Sequence, residues 1–123
     1  MKQYDPAKGP DPDEWLAMDE VERILLVERY HRRAHVRLPN HKVHAAIHAV
    51  VETQIAEGDE VPAKETLARL MAEGLDRHDA VHAIGSVLAE HMHRIATDPK
   101  SAGDVNAHYF GDLKTLTAAK WRK

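Results

Sequence analysis

Two segments of the chain place histidine and aliphatic residues at the spacing of an α-helix, and this spacing restricts the fold more than any other feature. In "HKVHAAIHAVVETQ" (41–54) and "RHDAVHAIGSVLAEHMH" (77–93), aliphatic residues recur every three or four positions and share one side of a helix. No segment alternates polar and apolar residues as a half-buried strand would. The sequence therefore predicts an all-α fold, a small antiparallel helical bundle of four to five helices.

Capping residues and helix breakers predict where these helices begin and end. Asp19, Asn40 and Asp76 can cap helices that run over about 19–35, 40–57 and 76–96. Between the last two, Pro62 is typical of a helix start and Gly74 of a helix end. On the first of these helices, Ile24, Leu25 and Tyr30 are expected to face the core.

The same boundaries predict the domain organisation. Residues 1–12 contain three prolines and few apolar positions, which is typical of a flexible N-terminal arm. Residues 13–97 then form one helical domain, and residues 98–123 form a C-terminal extension that is weakly helical in pattern. At 123 residues the chain is long enough to bury a single core without disulfides.

Composition excludes several classes of function. The chain has no cysteine, so thiolate zinc sites, iron–sulfur clusters and catalytic thiols are excluded and any metal must use nitrogen and oxygen ligands. The N-terminus lacks the apolar region of a signal peptide, and no apolar run is long enough to span a membrane. We therefore expect a cytoplasmic protein. A formal net charge of −3 gives no general attraction to nucleic acid.

The histidines of the two segments lie at the border of the apolar side. On a helical wheel, His41, His44, His48 and Glu52 fall within about 80° of one another, and His78 and His82 lie within about 40°. If the two helices pack antiparallel at about 8–10 Å, His44 and His48 can converge on His78 and His82. Neutral imidazoles four residues apart on a helix are suitable metal ligands.

The pattern thus predicts one divalent transition metal, zinc, iron or nickel, held by His44, His48, His78 and His82. Glu52 or Glu90 can serve as a further ligand, or can orient a ligating histidine through a hydrogen bond to its ring. Four protein ligands would make a closed structural site, whereas three would leave a position for chemistry. The sequence leaves open whether the chain is an enzyme and whether it forms a homo-oligomer.

Chance alone does not account well for the pairs of histidines. A random order of ten histidines gives roughly 0.8 pairs spaced H-x-x-x-H, and the chain has three. The third pair, His31 and His35, lies at the basic end of a helix and outside the two histidine segments 41–54 and 77–93. Together with His108, it is expected not to contribute to the metal site.

A known family shares part of this pattern. The residues His44, His48 and Gln54, followed by His78, His82 and Glu90, resemble those of an uncharacterised bacterial family, domain-of-unknown-function family 1841. The resemblance covers about residues 38–96 and implies a small helical fold and a metal site, without implying a reaction. The chain departs from the family pattern at Ser86, where an acid is expected, and Glu52 replaces a glutamate nearer Gln54. These departures argue against a carboxylate-rich dinuclear site.

Two other functions compete with this interpretation. In the first, a protein- or anion-binding module uses the basic segment 29–42, which contains Arg29, Arg32, Arg33, Arg37 and Lys42 and no acid. In the second, "RHDAVH" supplies the His-Asp doublet of the HD-type metal-dependent phosphohydrolases, with His48 and either Asp98 or Asp104 as further ligands. Basic residues at a helix end usually serve its dipole alone, and Asp79 points about 100° away from His78.

Overall fold

A computed structural model describes residues 3–34, 40–58, 61–99 and 105–122, and every regular element in these ranges is an α-helix. The predicted all-α class is therefore confirmed. The helices are α1 (Pro12–Ala17), α2 (Glu20–Arg33), α3 (His41–Glu57), α4 (Ala63–Ala72), α5 (Arg77–Thr97), α6 (Val105–Thr115) and α7 (Ala118–Arg122). The described residues thus form seven helices rather than four to five: the short helix α1, for which the segment "DEWLAM" is suited, and the two helices of the C-terminal extension add to the four longer ones.

The helices begin where the capping residues predict. The side chains of Asp19, Asn40 and Asp76 accept backbone hydrogen bonds at the starts of α2, α3 and α5, each satisfying one N–H that a helix start leaves unpaired. Asp11 does the same for α1, two residues before the expected start of the helical domain at residue 13. Gly74 follows α4 with φ of +108°, a conformation that favours glycine.

Helix α3 lies at the centre of the fold and packs against α1, α2, α4 and α5. Contacts along its length show that its two long neighbours run antiparallel to it. On α2, the residue near the start, Arg23, reaches Thr53, whereas His31 near its end lies against His44. On α5, His82 lies against His44 and His78 lies against His48.

Two apolar clusters surround α3. The larger one joins α3, α4, α5, α6 and α7 and includes Val51, Leu70, Ile84 and Leu113, all fully buried. The smaller one joins the N-terminal region to α2 and α3; its members are Tyr4, Trp15, Leu26, Val27, Ala45 and Ala49. The histidines lie where α2, α3 and α5 meet.

The N-terminal region differs from the flexible arm expected for residues 1–12. Tyr4 and Pro6 are buried, Arg33 donates a hydrogen bond of 3.1 Å to the carbonyl oxygen of Tyr4, and Arg77 donates one of 2.9 Å to that of Pro6. A Cβ at Gly9 would overlap the guanidinium of Arg77. These contacts, which composition does not reveal, place residues 3–11 against the helices.

The C-terminal extension shares the core of the domain that precedes it. Tyr109, Leu113, Leu116 and Ala118 belong to the larger cluster, and Arg69 of α4 donates hydrogen bonds to the carbonyl oxygens of Leu113 and Leu116. The expected boundary at residue 97 is therefore the end of a helix rather than a limit of the core. Across the described ranges, no helix combines the length and the apolar character needed to cross a bilayer.

Candidate metal centre

Five imidazole rings gather where α2, α3 and α5 meet. We refer to His31, His44, His48, His78 and His82 as the histidine cluster. The ring centroids of His44 and His82 are 5.1 Å apart, those of His48 and His82 are also 5.1 Å apart, and those of His78 and His82 are 4.3 Å apart. The two H-x-x-x-H pairs therefore face each other across the interface between α3 and α5.

Within the cluster, two groups of three histidines bring ring nitrogens close enough to hold a metal ion. One group is His48, His78 and His82, and the other is His31, His44 and His48; in each, one nitrogen per residue lies within 4.8 Å of the others. A tetrahedral ion bound at about 2.0–2.1 Å would bring the nitrogens to about 3.3–3.4 Å from one another. To hold an ion in this geometry, nitrogens as far apart as 4.8 Å would have to move closer together.

The two groups differ in how many nitrogens lack a partner. In His48, His78 and His82, the Nε2 atom is buried and has no hydrogen-bond partner among the described residues. In the other group only His31 Nδ1 and His48 Nε2 have this property. Because a buried polar atom without a partner costs free energy, these three atoms are candidates for metal ligands.

The histidines are held in the neutral form that metal binding requires. Burial, reinforced by the neighbouring imidazoles, lowers the pKa of His48 from 6.5 to about 2 and the pKa of His82 to about 4. The same causes lower the pKa of His31 to about 4, and burial lowers the pKa of His44 and His78 as well. At neutral pH these rings therefore carry lone pairs and no charge.

A hydrogen-bonded chain behind His48 determines which of its nitrogens is free. Arg77 holds both carboxylate oxygens of Glu52, at 2.7 Å and 2.8 Å, and the Tyr4 hydroxyl donates a short hydrogen bond to Glu52. Because its only proton is used there, the Tyr4 oxygen accepts from Nδ1 of His48 at 2.9 Å. The proton of His48 thus resides on Nδ1, which leaves the lone pair on Nε2.

The two predicted carboxylates lie outside both groups of histidines. Glu52 is 1 % exposed and is hydrogen-bonded to Arg77 and Tyr4, so its link to the histidines runs through the Tyr4 hydroxyl. Glu90 is exposed on α5 and does not belong to either group. Among the described residues, the groups that could hold a metal ion consist of histidines alone.

The structure brings His31 into the cluster, although the sequence placed it outside. The core-facing side of α2 is rotated from the expected one: Leu25 is 39 % exposed, whereas Leu26 and Val27 are buried. His31 lies one turn beyond Val27 and continues its row. The four-residue spacing between Val27 and His31 was the sequence signal that could have placed His31 on the buried side of α2. His35 lies outside the described residues, and His108 is exposed.

The competing functions gain little from the placement of their residues. Arg29, Arg32, Arg33 and Lys42 are exposed, as expected for a binding surface, but Arg33 also fixes the N-terminal region; Arg37 lies outside the described residues. Of the acids proposed for a phosphohydrolase, Asp79 and Asp98 are exposed and belong to neither histidine group, and Asp104 lies outside the described ranges.

Comparisons with known proteins add no assignment to this geometry. Searches of protein-family models, curated proteins and solved structures found no match. The site therefore has to be interpreted from its own chemistry. The described chain provides clusters of neutral histidines that could hold a metal ion, with an ion-paired glutamate behind one of them.

Proposed function

We propose that the chain binds one divalent transition-metal ion through Nε2 of His48, His78 and His82. The observation that carries the proposal is the set of three buried Nε2 atoms without hydrogen-bond partners among the described residues. A bound ion would satisfy all three at once. Leaving them unsatisfied would cost the fold a desolvation penalty at each nitrogen.

The shared histidine argues for one ion rather than two. His48 belongs to both groups, and its Nδ1 is already hydrogen-bonded to Tyr4. Its single free nitrogen can therefore serve only one group at a time. His44 and His31 would then lie beside the bound ion, where they can interact with whatever occupies its fourth position.

The donor set favours zinc among the metals that the sequence suggested. Three imidazoles and one exchangeable ligand are a known arrangement for zinc, whereas non-haem iron more often takes two histidines and a carboxylate. The proposal also includes the resemblance to domain-of-unknown-function family 1841, because His48, His78 and His82 are among the residues that carry it. Three protein ligands would leave a coordination position for an exogenous molecule.

Metal titration of the full chain tests this proposal. After treatment with a chelator, calorimetric titration with Zn²⁺, Ni²⁺ and anaerobic Fe²⁺ should give one ion per chain, with the highest affinity among these three for zinc or nickel. X-ray absorption of the zinc form should show three imidazole ligands and one ligand that is not an imidazole. Four imidazoles would instead assign His44 or His31 as the fourth ligand.

A matched pair of variants separates a site from a general effect of losing a buried histidine. His48→Ala should abolish tight binding, because it removes the residue common to both groups. His91→Ala removes another buried histidine and should retain one ion per chain. Absence of tight binding by the unmodified chain, or equal losses in the two variants, would refute the metal site.

A further inference from the structure

A cleft adjoins two of the three proposed metal ligands, His48 and His82. It has a volume of about 230 Å³, and His44, His48 and His82 are among the residues that line it. An apolar cavity of about 150 Å³ is large enough to bind benzene. The cleft can therefore hold a ring together with a small substituent, which is far more space than a single metal-bound water needs.

The rest of the cleft is apolar. Its walls include Ile47 from α3, Val81 and Ala89 from α5, and Trp121 from α7, and none of the described residues that line it is acidic, lysine or arginine. Ser86 also lines it, but its hydroxyl proton is donated to the Ala83 carbonyl oxygen at 2.7 Å. These walls favour an apolar body over a sugar or a phosphate group.

The charge of the metal-loaded site favours an anion next to the histidines of the cleft. Three neutral imidazoles leave the two positive charges of the ion uncompensated, and Glu52 is already paired with Arg77. In surroundings of low dielectric constant, such a centre gains most from a negatively charged fourth ligand. The neighbouring His44 can donate a hydrogen bond to that ligand from its ring N–H.

From this combination we propose that the cleft binds a small monocarboxylate with a compact apolar body, about the size of benzoate. The carboxylate would coordinate the metal ion beside His48 and His82, and the body would contact Val81, Ala89 and Trp121. Trp121 contributes an aromatic wall against which a ring can pack. This inference rests on the proposed metal site and adds the class of ligand.

The test uses the full chain loaded with Co²⁺, whose visible absorption reports a change of ligand at the metal. Benzoate should change the spectrum and bind at least about tenfold more tightly than acetate, because acetate lacks the body that fills the cleft. Benzyl alcohol, which has the ring but no carboxylate, should not change the spectrum. Equal affinity for benzoate and acetate would overturn the inference.

Two variants of the wall locate the binding. Ala89→Leu, which fills the cleft, should weaken benzoate binding at least about tenfold without changing the cobalt content, and Ala68→Leu, on the exposed side of α4, should leave binding unchanged. If Ala89→Leu prevents folding, Trp121→Ala replaces it and should weaken benzoate binding severalfold while acetate binding stays the same. Unchanged benzoate affinity in the folded wall variant would overturn the inference.

The outcomes distinguish this inference from the proposed function. If one cobalt ion binds per chain and benzoate does not bind through the cleft, the ligand class is wrong and the metal site stands. If cobalt and zinc both fail to bind, the metal site and the ligand proposal are overturned together.

Discussion

Two buried histidines on different sides of the molecule have very different surroundings. His48 is 2 % exposed and lies among four other imidazoles, with Tyr4 on its Nδ1. His91, near the other end of α5, is 5 % exposed and stacks on Tyr109 with ring centroids 5.7 Å apart. Neither ring nitrogen of His91 has a hydrogen-bond partner in the described part of the chain.

The difference teaches what distinguishes a candidate metal site from a buried histidine. Burial and unpaired nitrogens occur in both places, so neither property is sufficient. Around His48 several nitrogens converge, and the ion-paired Glu52 holds Tyr4, which orients the ring. His91 belongs to no group of three possible ligands among the described residues. Convergence and an orienting partner are therefore the properties to test.

The largest expected effect is on zinc affinity when a ligand is removed. Structural zinc sites contribute about 10–16 kcal/mol over four ligands, so His78→Ala or His82→Ala should weaken binding about 100- to 1000-fold. His31→Ala and His44→Ala should weaken it less than about tenfold. Competition titration against a chromogenic chelator measures these changes. A larger loss in the second pair would assign the ion to His31, His44 and His48.

The next effect concerns the tyrosines, since each region contains one. Tyr4→Phe should lower zinc affinity about 10- to 100-fold, because an outer hydrogen bond that orients a histidine ligand is worth that much. Tyr109→Phe removes the 2.6 Å hydrogen bond to Gln54 and should leave zinc affinity unchanged. The same competition titration is the measurement, and equal losses would mean that zinc affinity does not depend specifically on the hydrogen bond between Tyr4 and His48.

Much of the fold was predictable from the sequence because local signals determine it. The caps at Asp19, Asn40 and Asp76 and the helical spacing of aliphatic residues depend on neighbours a few positions away. The facing of the two H-x-x-x-H pairs is different, because α4 lies between α3 and α5 and short connections alone would make these two helices parallel. The local signals thus define the all-α class, whereas the approach of His44 and His48 to His78 and His82 required the additional assumption that their two helices pack antiparallel.

The parts that were missed depend on contacts between residues distant in sequence. Tyr4 lies in a proline-rich segment, and nothing in that segment indicates that its hydroxyl reaches Glu52 on α3. His31 enters the cluster because α2 packs with Leu26 and Val27 inward rather than Leu25. The choice between adjacent faces of an amphipathic helix is made by tertiary packing, which periodicity does not resolve.

A third effect is the dependence of stability on pH in the metal-free protein. The pKa of His48 falls to about 2 in the folded chain because of burial and neighbouring imidazoles, whereas the unfolded value is about 6.5. The unfolded state therefore binds more protons below about pH 6.5, so stability is complete above that pH and is lost as pH falls toward the folded pKa. His48 alone should contribute about 1.4 kcal/mol per pH unit.

Urea denaturation of chelator-treated protein at pH 7.5, 6 and 5 measures this slope. His48→Gln should make it shallower by about that amount, because glutamine does not titrate. Tyr109→Phe, in the other region, removes no group that titrates below pH 8 and should keep the slope, since burial raises the pKa of that phenol. A flat profile for the unmodified chain would show that the cluster is hydrated rather than buried.

The smallest effect is expected at His91, where replacement should cost almost nothing. His91→Leu removes two buried nitrogens that have no partner in the described chain, which relieves a desolvation penalty of about 1–3 kcal/mol. It also loses the stacking on Tyr109, worth about 0.5–1.5 kcal/mol. The free energy of unfolding should thus stay the same or rise by about 1 kcal/mol, as measured by urea denaturation at pH 7.5, with zinc content unchanged.

His48→Leu, compared with the zinc-bound unmodified chain, should instead lose the stabilisation that the ion provides, about 2.7 kcal/mol at 100 times its dissociation constant. Equal losses in the two variants would mean that the two histidines stabilise the fold in the same way, and that convergence around His48 has no separate role.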